Sequence, residues 1–191
     1  MPASLKYWAA AAAIPAKFAR VWLFTDSARL PDPRPAVGRL PKGRAGVVFR
    51  HDGHPDRLAL GWDLARICKN RRLMLTVAGD CRLAAALGAG VHIRAGRWPG
   101  PIRPPGFVTS SAHDAASLRR AAKAGADLVF LSPAFPTMSH PGGPALGPLR
   151  WAALARQAGL PVAALGGVTG RSIRRLPRQM CAAVGAIGAL T

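Results

Sequence analysis

Eight short runs rich in apolar and β-branched residues recur along the chain: Val21–Thr25, Gly46–Arg50, Leu73–Val77, Gly90–Ile93, Gly106–Ser110, Asp127–Ser132, Pro161–Leu165 and Met180–Val184. They lack strict apolar/polar alternation, as expected of parallel strands covered on both faces. Between them lie alanine-rich stretches of helical character at Asp56–Asn70, Asp80–Leu87, Asp114–Ala124, Gly147–Ala158 and Thr169–Leu176. Asp80 ahead of Cys81-Arg82-Leu83, and His113-Asp114 ahead of Ala115-Ala116, are predicted helix caps. Gly125 and Gly159 supply the predicted helix ends. Eight strands with alternating helices predict an α/β protein of the (β/α)8 TIM-barrel class. The domain is expected to span residues 1–191, with a leader helix in 1–20 lying across the barrel bottom and the barrel proper in 21–191.

Some units depart from the ideal repeat. The segment Leu30-Pro31-Asp32-Pro33-Arg34-Pro35 after strand one has too many prolines for a full crossover helix. Arg97-Trp98-Pro99-Gly100-Pro101-Ile102-Arg103-Pro104-Pro105, after strand four, reads as a loop. Little sequence follows strand eight, so the last helix is expected to be truncated. A doubly wound open sheet is the competing fold, but no G-x-G-x-x-G turn follows strand one, where a dinucleotide-binding fold needs it.

Composition narrows the function classes. Half of the residues are apolar, which argues against disorder, and no apolar run reaches the length of a membrane span. The apolar stretch from Tyr7 to Ile14 is short and is read as part of the leader helix rather than a cleaved signal. Cys68, Cys81 and Cys181 are widely spaced with no CxxC, which predicts reduced thiols and a cytoplasmic setting. The formal charge of +19 comes from 27 basic residues, only 5 of them lysines. The arginines are scattered singly or in pairs without interleaved aromatics, which argues against a specific nucleic-acid surface. Positive charge of this kind raises the on-rate of any anionic ligand.

The chemistry is concentrated near the ends of the last strands. Leu165-Gly166-Gly167-Val168 closes strand seven, and Val184-Gly185-Ala186-Ile187-Gly188 closes strand eight. In TIM barrels these two loops commonly form a phosphate cradle, because glycine lets backbone N–H groups approach the oxygens. The alternative is a tight turn after a buried strand. The loop after strand six, Ser132-Pro133-Ala134-Phe135-Pro136-Thr137-Met138-Ser139-His140-Pro141-Gly142-Gly143-Pro144, combines prolines, hydroxyls and an imidazole with the apolar Phe135 and Met138. It reads as a ligand lid more readily than as a plain surface loop.

These motifs resemble the thiamine-phosphate synthase and TenI family of TIM barrels. The resemblance is carried by Phe24-Thr25-Asp26, Val48-Phe49-Arg50, Gly90-Val91-His92-Ile93, Ser111-Ala112-His113, Gly125-Ala126-Asp127, Ser132-Pro133-Ala134-Phe135-Pro136-Thr137 and Leu165-Gly166-Gly167-Val168, in the family's order from about Val21 to Leu190. The synthase joins a pyrimidine diphosphate to thiazole phosphate with the help of Mg²⁺. The resemblance implies that Arg50, Ser111, Thr137 and Ser139 face the diphosphate, and that backbone at Gly166, Gly167, Ile187 and Gly188 holds the thiazole phosphate. The family's two metal-binding aspartates correspond to Gly79 and Arg97, with Asp80 adjacent to the first. Its lysines correspond to His140 and Asp52, and Val48 and Ala78 stand where polar pyrimidine contacts would be expected. With those oxygen ligands and cations missing, no metal is expected, unless synthase activity survives.

The TenI-type tautomerase shares the fold and the phosphate pocket, needs no metal, and isomerises a thiazole carboxylate phosphate. The resemblance implies that its histidine is His113; an unperturbed imidazole titrates near neutral pH and suits proton transfer. From the sequence alone His113 reads equally well as a helix-capping residue. His140 is a second candidate acid or base, or an exposed loop residue. His92 reads as a core histidine, and His51-Asp52-Gly53-His54 as a weak metal-like cluster. The expectation is a tautomerase-like protein whose partner is a phosphorylated small molecule such as thiazole phosphate. A synthase with a degenerate metal site and a non-catalytic phosphate-ligand binder are the alternatives. A homodimer, with a neighbouring subunit covering the place of the short last helix, is left open.

Overall fold

The structure, a computed structural model, describes residues 11–12, 18–96, 106–138 and 142–187. Its strands are β1 (Val21–Phe24), β2 (Ala45–Phe49), β3 (Met74–Ala78), β4 (Gly90–Ile93), β5 (Val108–Ala112), β6 (Leu128–Leu131), β7 (Val162–Ala164) and β8 (Ala183–Ala186). All neighbours pair in parallel, and β8 returns to β1 through Val21↔Val184, Trp22↔Gly185 and Leu23↔Ala186, so the sheet closes into a TIM barrel. The helices are α1 (Arg34–Arg39), α2 (Arg57–Arg71), α3 (Cys81–Ala86), α4 (Ala115–Lys123) and α5 (Gly147–Gln157).

Side chains alternate between two apolar layers. Trp22, Phe24, Val48, Ala78, Leu128, Phe130, Ala163 and Ala183 fill the barrel interior. Their sequence neighbours, among them Leu23, Val47, Val77, Val129 and Val162, face the helices. Trp22 stacks on Phe107 with ring centroids 6.0 Å apart and meets Phe130 edge-on at 5.7 Å. Gly46 makes room for the indole: a Cβ there would sit 2.6 Å from Trp22 Cζ3. Outside the barrel, the buried Trp151 fixes α5 by donating its indole N–H to the Leu131 carbonyl at 3.2 Å.

Several boundaries differ from the sequence expectation, each for a local reason. Gly106, at φ +74°, makes a turn, and the Asp127 carboxylate accepts the Val108 N–H at 2.8 Å, so β5 starts two residues late and runs to Ala112. Met180 and Cys181 turn back to the Pro177 carbonyl, so β8 starts at Ala183, where its register with β7 begins. The helix expected over Thr169–Leu176 is a 3₁₀ turn, Ser172–Arg175. Thr169 and Ser172 bond to each other's backbone and side chain there, and Pro177 ends the segment. As expected of a shortened unit, the proline-rich segment after β1 forms only a six-residue helix, α1, with Pro35 in its first turn, where a missing N–H costs nothing. The described part of the segment after β4 is a 3₁₀ turn, Arg94–Gly96. Most of the expected leader helix and the expected truncated last helix lie outside the described residues. No helix among the described residues is long and apolar enough to cross a membrane.

Candidate active site

Parallel closure brings the C-terminal ends of all eight strands to one rim, where alternation turns every second residue inward. The inward series 22, 24, 26 on β1, 48, 50 on β2, 92, 94 on β4 and 109, 111, 113 on β5 brings Asp26, Arg50, Arg94, Ser111 and His113 to the mouth.

His113 follows β5 by one residue. Its Nδ1 lies 2.8 Å from the Ser132 carbonyl oxygen and 3.2 Å from Ser132 Oγ. A carbonyl only accepts, so Nδ1 carries the proton in that bond, and Nε2 is the basic nitrogen of the neutral ring. The backbone of His113 is also held, because its N–H donates to Ser117 Oγ at 2.9 Å. Asp114, not His113, caps α4: its carboxylate accepts the Ser117 N–H at 2.7 Å in a capping box. That bond, then the Ser117 hydroxyl, lowers the Asp114 pKa. The capping alternative for the His113 side chain is thereby corrected.

On the β6–β7 side, Gly166 and Gly167 both adopt left-handed backbone, at φ +84° and +63°. Positive φ at both residues makes a tight turn that glycine adopts without strain. The loop after β6 locks onto this turn: Ala134 N–H donates to Leu165 O at 2.8 Å and Phe135 N–H to Gly166 O at 3.0 Å. A Cβ on Gly167 would run into the Pro136 carbonyl and lie 2.6 Å from that of Phe135. The amides of Gly166 and Gly167 have no acceptor among the described residues. Ile187 stands just past β8, packed against the barrel interior. Thr137 is half-buried in the strand-six loop. Ser139, His140 and Gly188 lie outside the described residues.

The β2–β4 side is built from ion pairs. Arg50 donates to Asp26 at 3.0 Å, and its guanidinium lies 5.8 Å from the Phe24 ring centroid. Burial pushes the Asp26 carboxyl up, but the Arg29 amide and the Arg50 charge outweigh it, and the net shift is downward. Arg57 donates to Asp80 at 2.9 Å and to Asp52 at 3.2 Å, while Arg94 pairs with the other oxygen of Asp52. Asp80 also caps α3 through the Leu83 N–H at 2.9 Å. Ser111 Oγ accepts the Ala95 N–H at 3.0 Å and so holds the turn that carries Arg94. His92 is buried beneath, with Nδ1 2.9 Å from Thr109 Oγ1. Burial, then the charges of Arg50 and Arg94, push its pKa down to about 3. It is the satisfied interior histidine that the sequence suggests.

Among the described residues the donor set does not fit Mg²⁺. Both oxygens of Asp80 and both of Asp52 accept N–H bonds, Gly79 has no side chain, and no cluster of three or more His, Cys or Asp/Glu side chains suited to a metal occurs among the described residues. His51 and His54 are likewise not paired as ligands: His51 bridges Thr25 Oγ1 and the Leu30 carbonyl, and His54 Nδ1 accepts the Asp56 N–H.

Residues 37–190 match the family model described as thiamine monophosphate synthase. The chain belongs to that family. It is 32% identical over 142 residues to a putative thiamine-phosphate synthase 2 of Aquifex aeolicus, covering 71% of this chain and 76% of that protein. It is 35% identical over 138 residues to the thiamine-phosphate synthase of Thiobacillus denitrificans, spanning 66% of this chain and 64% of that protein. The fold matches that of a thiamine phosphate pyrophosphorylase from Pyrococcus furiosus with a TM-score of 0.71 at 20% identity, covering 88% and 85% of the two chains.

Sequence reading missed Asp26, Arg57 and Arg94. Two of them were within reach of the period-2 rule: Asp26 stands two residues past Phe24, and Arg94 two past His92. Arg57, in the first turn of α2, carries no comparable signal.

Proposed function

We propose that this member of the thiamine monophosphate synthase family is a metal-independent tautomerase of a thiazole carboxylate phosphate. The observation that carries the reading is the His113 Nδ1–Ser132 carbonyl bond, 2.8 Å, which leaves Nε2 as a fixed base at the barrel mouth. The phosphate is anchored by the Gly166 and Gly167 amides, with Ile187 and Gly188 completing the cradle, and the carboxylate faces Arg50. Ser111, Thr137 and Ser139 line the substrate, and His140 is the second acid or base. One C–H bond of the ring is broken by His113 Nε2 and another is formed on reprotonation, so the substrate changes no atoms and no co-reactant is needed. The test is steady-state turnover and phosphate-ligand binding of His113→Ala. Turnover is expected to fall at least about 100-fold, the range for a general base, with the dissociation constant unchanged. A parent protein that binds thiazole phosphate without turnover would instead be a non-catalytic binder.

The names of the relatives favour a second reading, thiamine-phosphate synthase, in which a pyrimidine diphosphate and a thiazole phosphate are joined. Robust Mg²⁺-dependent formation of thiamine phosphate would establish it and remove the tautomerase reading. The three free cysteines, two of them buried, suit a reducing cytoplasmic setting.

A further inference from the structure

Three successive carbonyls of the β7–β8 turn are each held by one donor. Leu165 O accepts the Ala134 N–H at 2.8 Å, Gly166 O accepts the Phe135 N–H at 3.0 Å, and Gly167 O accepts the Ser172 hydroxyl at 3.2 Å. The first two donors are backbone; the third is a side chain. The Ser172 hydroxyl has little choice of acceptor. Its oxygen takes the Thr169 N–H at 2.8 Å and the Thr169 hydroxyl at 3.2 Å, so its own proton goes to a carbonyl. The Thr169 carbonyl is further off, at 3.4 Å, and already accepts the Ile173 N–H. The Gly167 carbonyl has no other donor among the described residues.

Because a peptide unit is planar and trans, fixing a C=O also fixes the N–H of the next residue, which points the opposite way. The three locks therefore orient the amides of Gly166, Gly167 and Val168, and none of these has an acceptor among the described residues. Glycine tolerates both signs of φ, so the peptide units beside Gly166 and Gly167, at φ +84° and +63°, would otherwise turn over at little cost. The Gly167–Val168 unit is the one whose orientation hangs on a single hydroxyl. We propose that Ser172 is a positioning residue for anion binding: by holding the Gly167 carbonyl it presents the Val168 amide to a phosphate monoester, as a third donor beside Gly166 and Gly167. Hydrogen bonds to a charged acceptor are the stronger ones and weaken steeply off line, so an amide that loses its aim loses most of its value. The inference rests on the proposed function only for a phosphate lying at this turn, and it holds whether or not the ligand is turned over.

The experiment titrates thiazole phosphate and, separately, its unphosphorylated alcohol into the full-length protein by calorimetry, and reads the ratio of their dissociation constants. The parent should bind the phosphate ester more tightly, and its Val168 amide NMR signal should move with the ester and not with the alcohol. Ser172→Ala should shrink the preference about tenfold, weakening the ester while leaving the alcohol within about twofold. Ser172→Thr, which keeps the hydroxyl, should restore it. Ser172→Cys covers the case of an alanine variant that does not fold: it keeps the shape but is a weak donor, and should lose at least about threefold. Thr169→Val leaves the Ser172–Gly167 bond in place and should change the ratio less than about twofold. A parent without preference for the ester, equal weakening of both ligands by Ser172→Ala, alanine or cysteine variants that keep the parent's ratio, or a static Val168 signal would each overturn the proposal. A parent that prefers the ester, loses that preference in Ser172→Ala and yet shows no turnover would remove the tautomerase reading and keep this one.

Discussion

The two halves of the barrel mouth are built on different principles. Around β5–β8 the work is done by backbone: left-handed glycines, a carbonyl that fixes a histidine tautomer, and amides left for a ligand. Around β2–β4 it is done by charged side chains, three carboxylates and three guanidiniums, standing on an unremarkable strand register. A backbone cradle is hard to alter without breaking the loop packing that shapes it. A side-chain constellation can be rewritten one residue at a time.

The comparison is broken most severely at Gly167. Gly167→Ala adds a methyl group against the Phe135 and Pro136 carbonyls and forces alanine into left-handed backbone, so it should cost about 3 kcal/mol or more. Gly43→Ala, also at positive φ but with open space around it, should cost only about 1–2 kcal/mol. Urea unfolding of the pair measures the difference, and phosphate binding should be lost only at Gly167.

The arginine side is sharpened through His92. Its folded pKa of about 3 lies below the unfolded value of about 6.5, so between these two the unfolded chain binds more protons. Stability therefore falls as pH falls through that window, by up to about 1.4 kcal/mol per pH unit. Urea midpoints at pH 7, 6 and 5 should show a steeper acid loss for the parent than for His92→Gln. The smallest effect is expected at Gly79→Asp. Aspartate tolerates positive φ better than most residues, and its carboxylate would pair with Arg94, so stability should change by less than about 1 kcal/mol. Melting with and without Mg²⁺ should then show no metal-dependent gain; a clear gain would mean that one acid restores a cation site despite the arginines.

The two halves were also unequally legible in the sequence. Alternating apolar runs and alanine-rich stretches were enough for the closed parallel barrel, and Asp80 and Asp114 could be read as caps because a carboxylate ahead of a helix has one main use. The double glycine and the strand-six loop were legible for the same reason: few other residues survive that geometry. The start of β8 was not, since Met180 and Cys181 are as apolar as a strand and only their turn to Pro177 and the pairing with β7 exclude them. Nor was the Asp52–Arg57–Asp80 bridge, because arginine is so abundant in this chain that none stands out before the fold brings partners together.

Ser117 gives the hydroxyl bond at the start of α4 a wider meaning. The same oxygen accepts the N–H of Asp114, which caps the helix, and the N–H of His113. Fold and reactivity thus share one atom, and inherited variation at this position cannot separate them. A lineage that lost the hydroxyl would have to re-secure the histidine backbone by other means before its helix cap could drift.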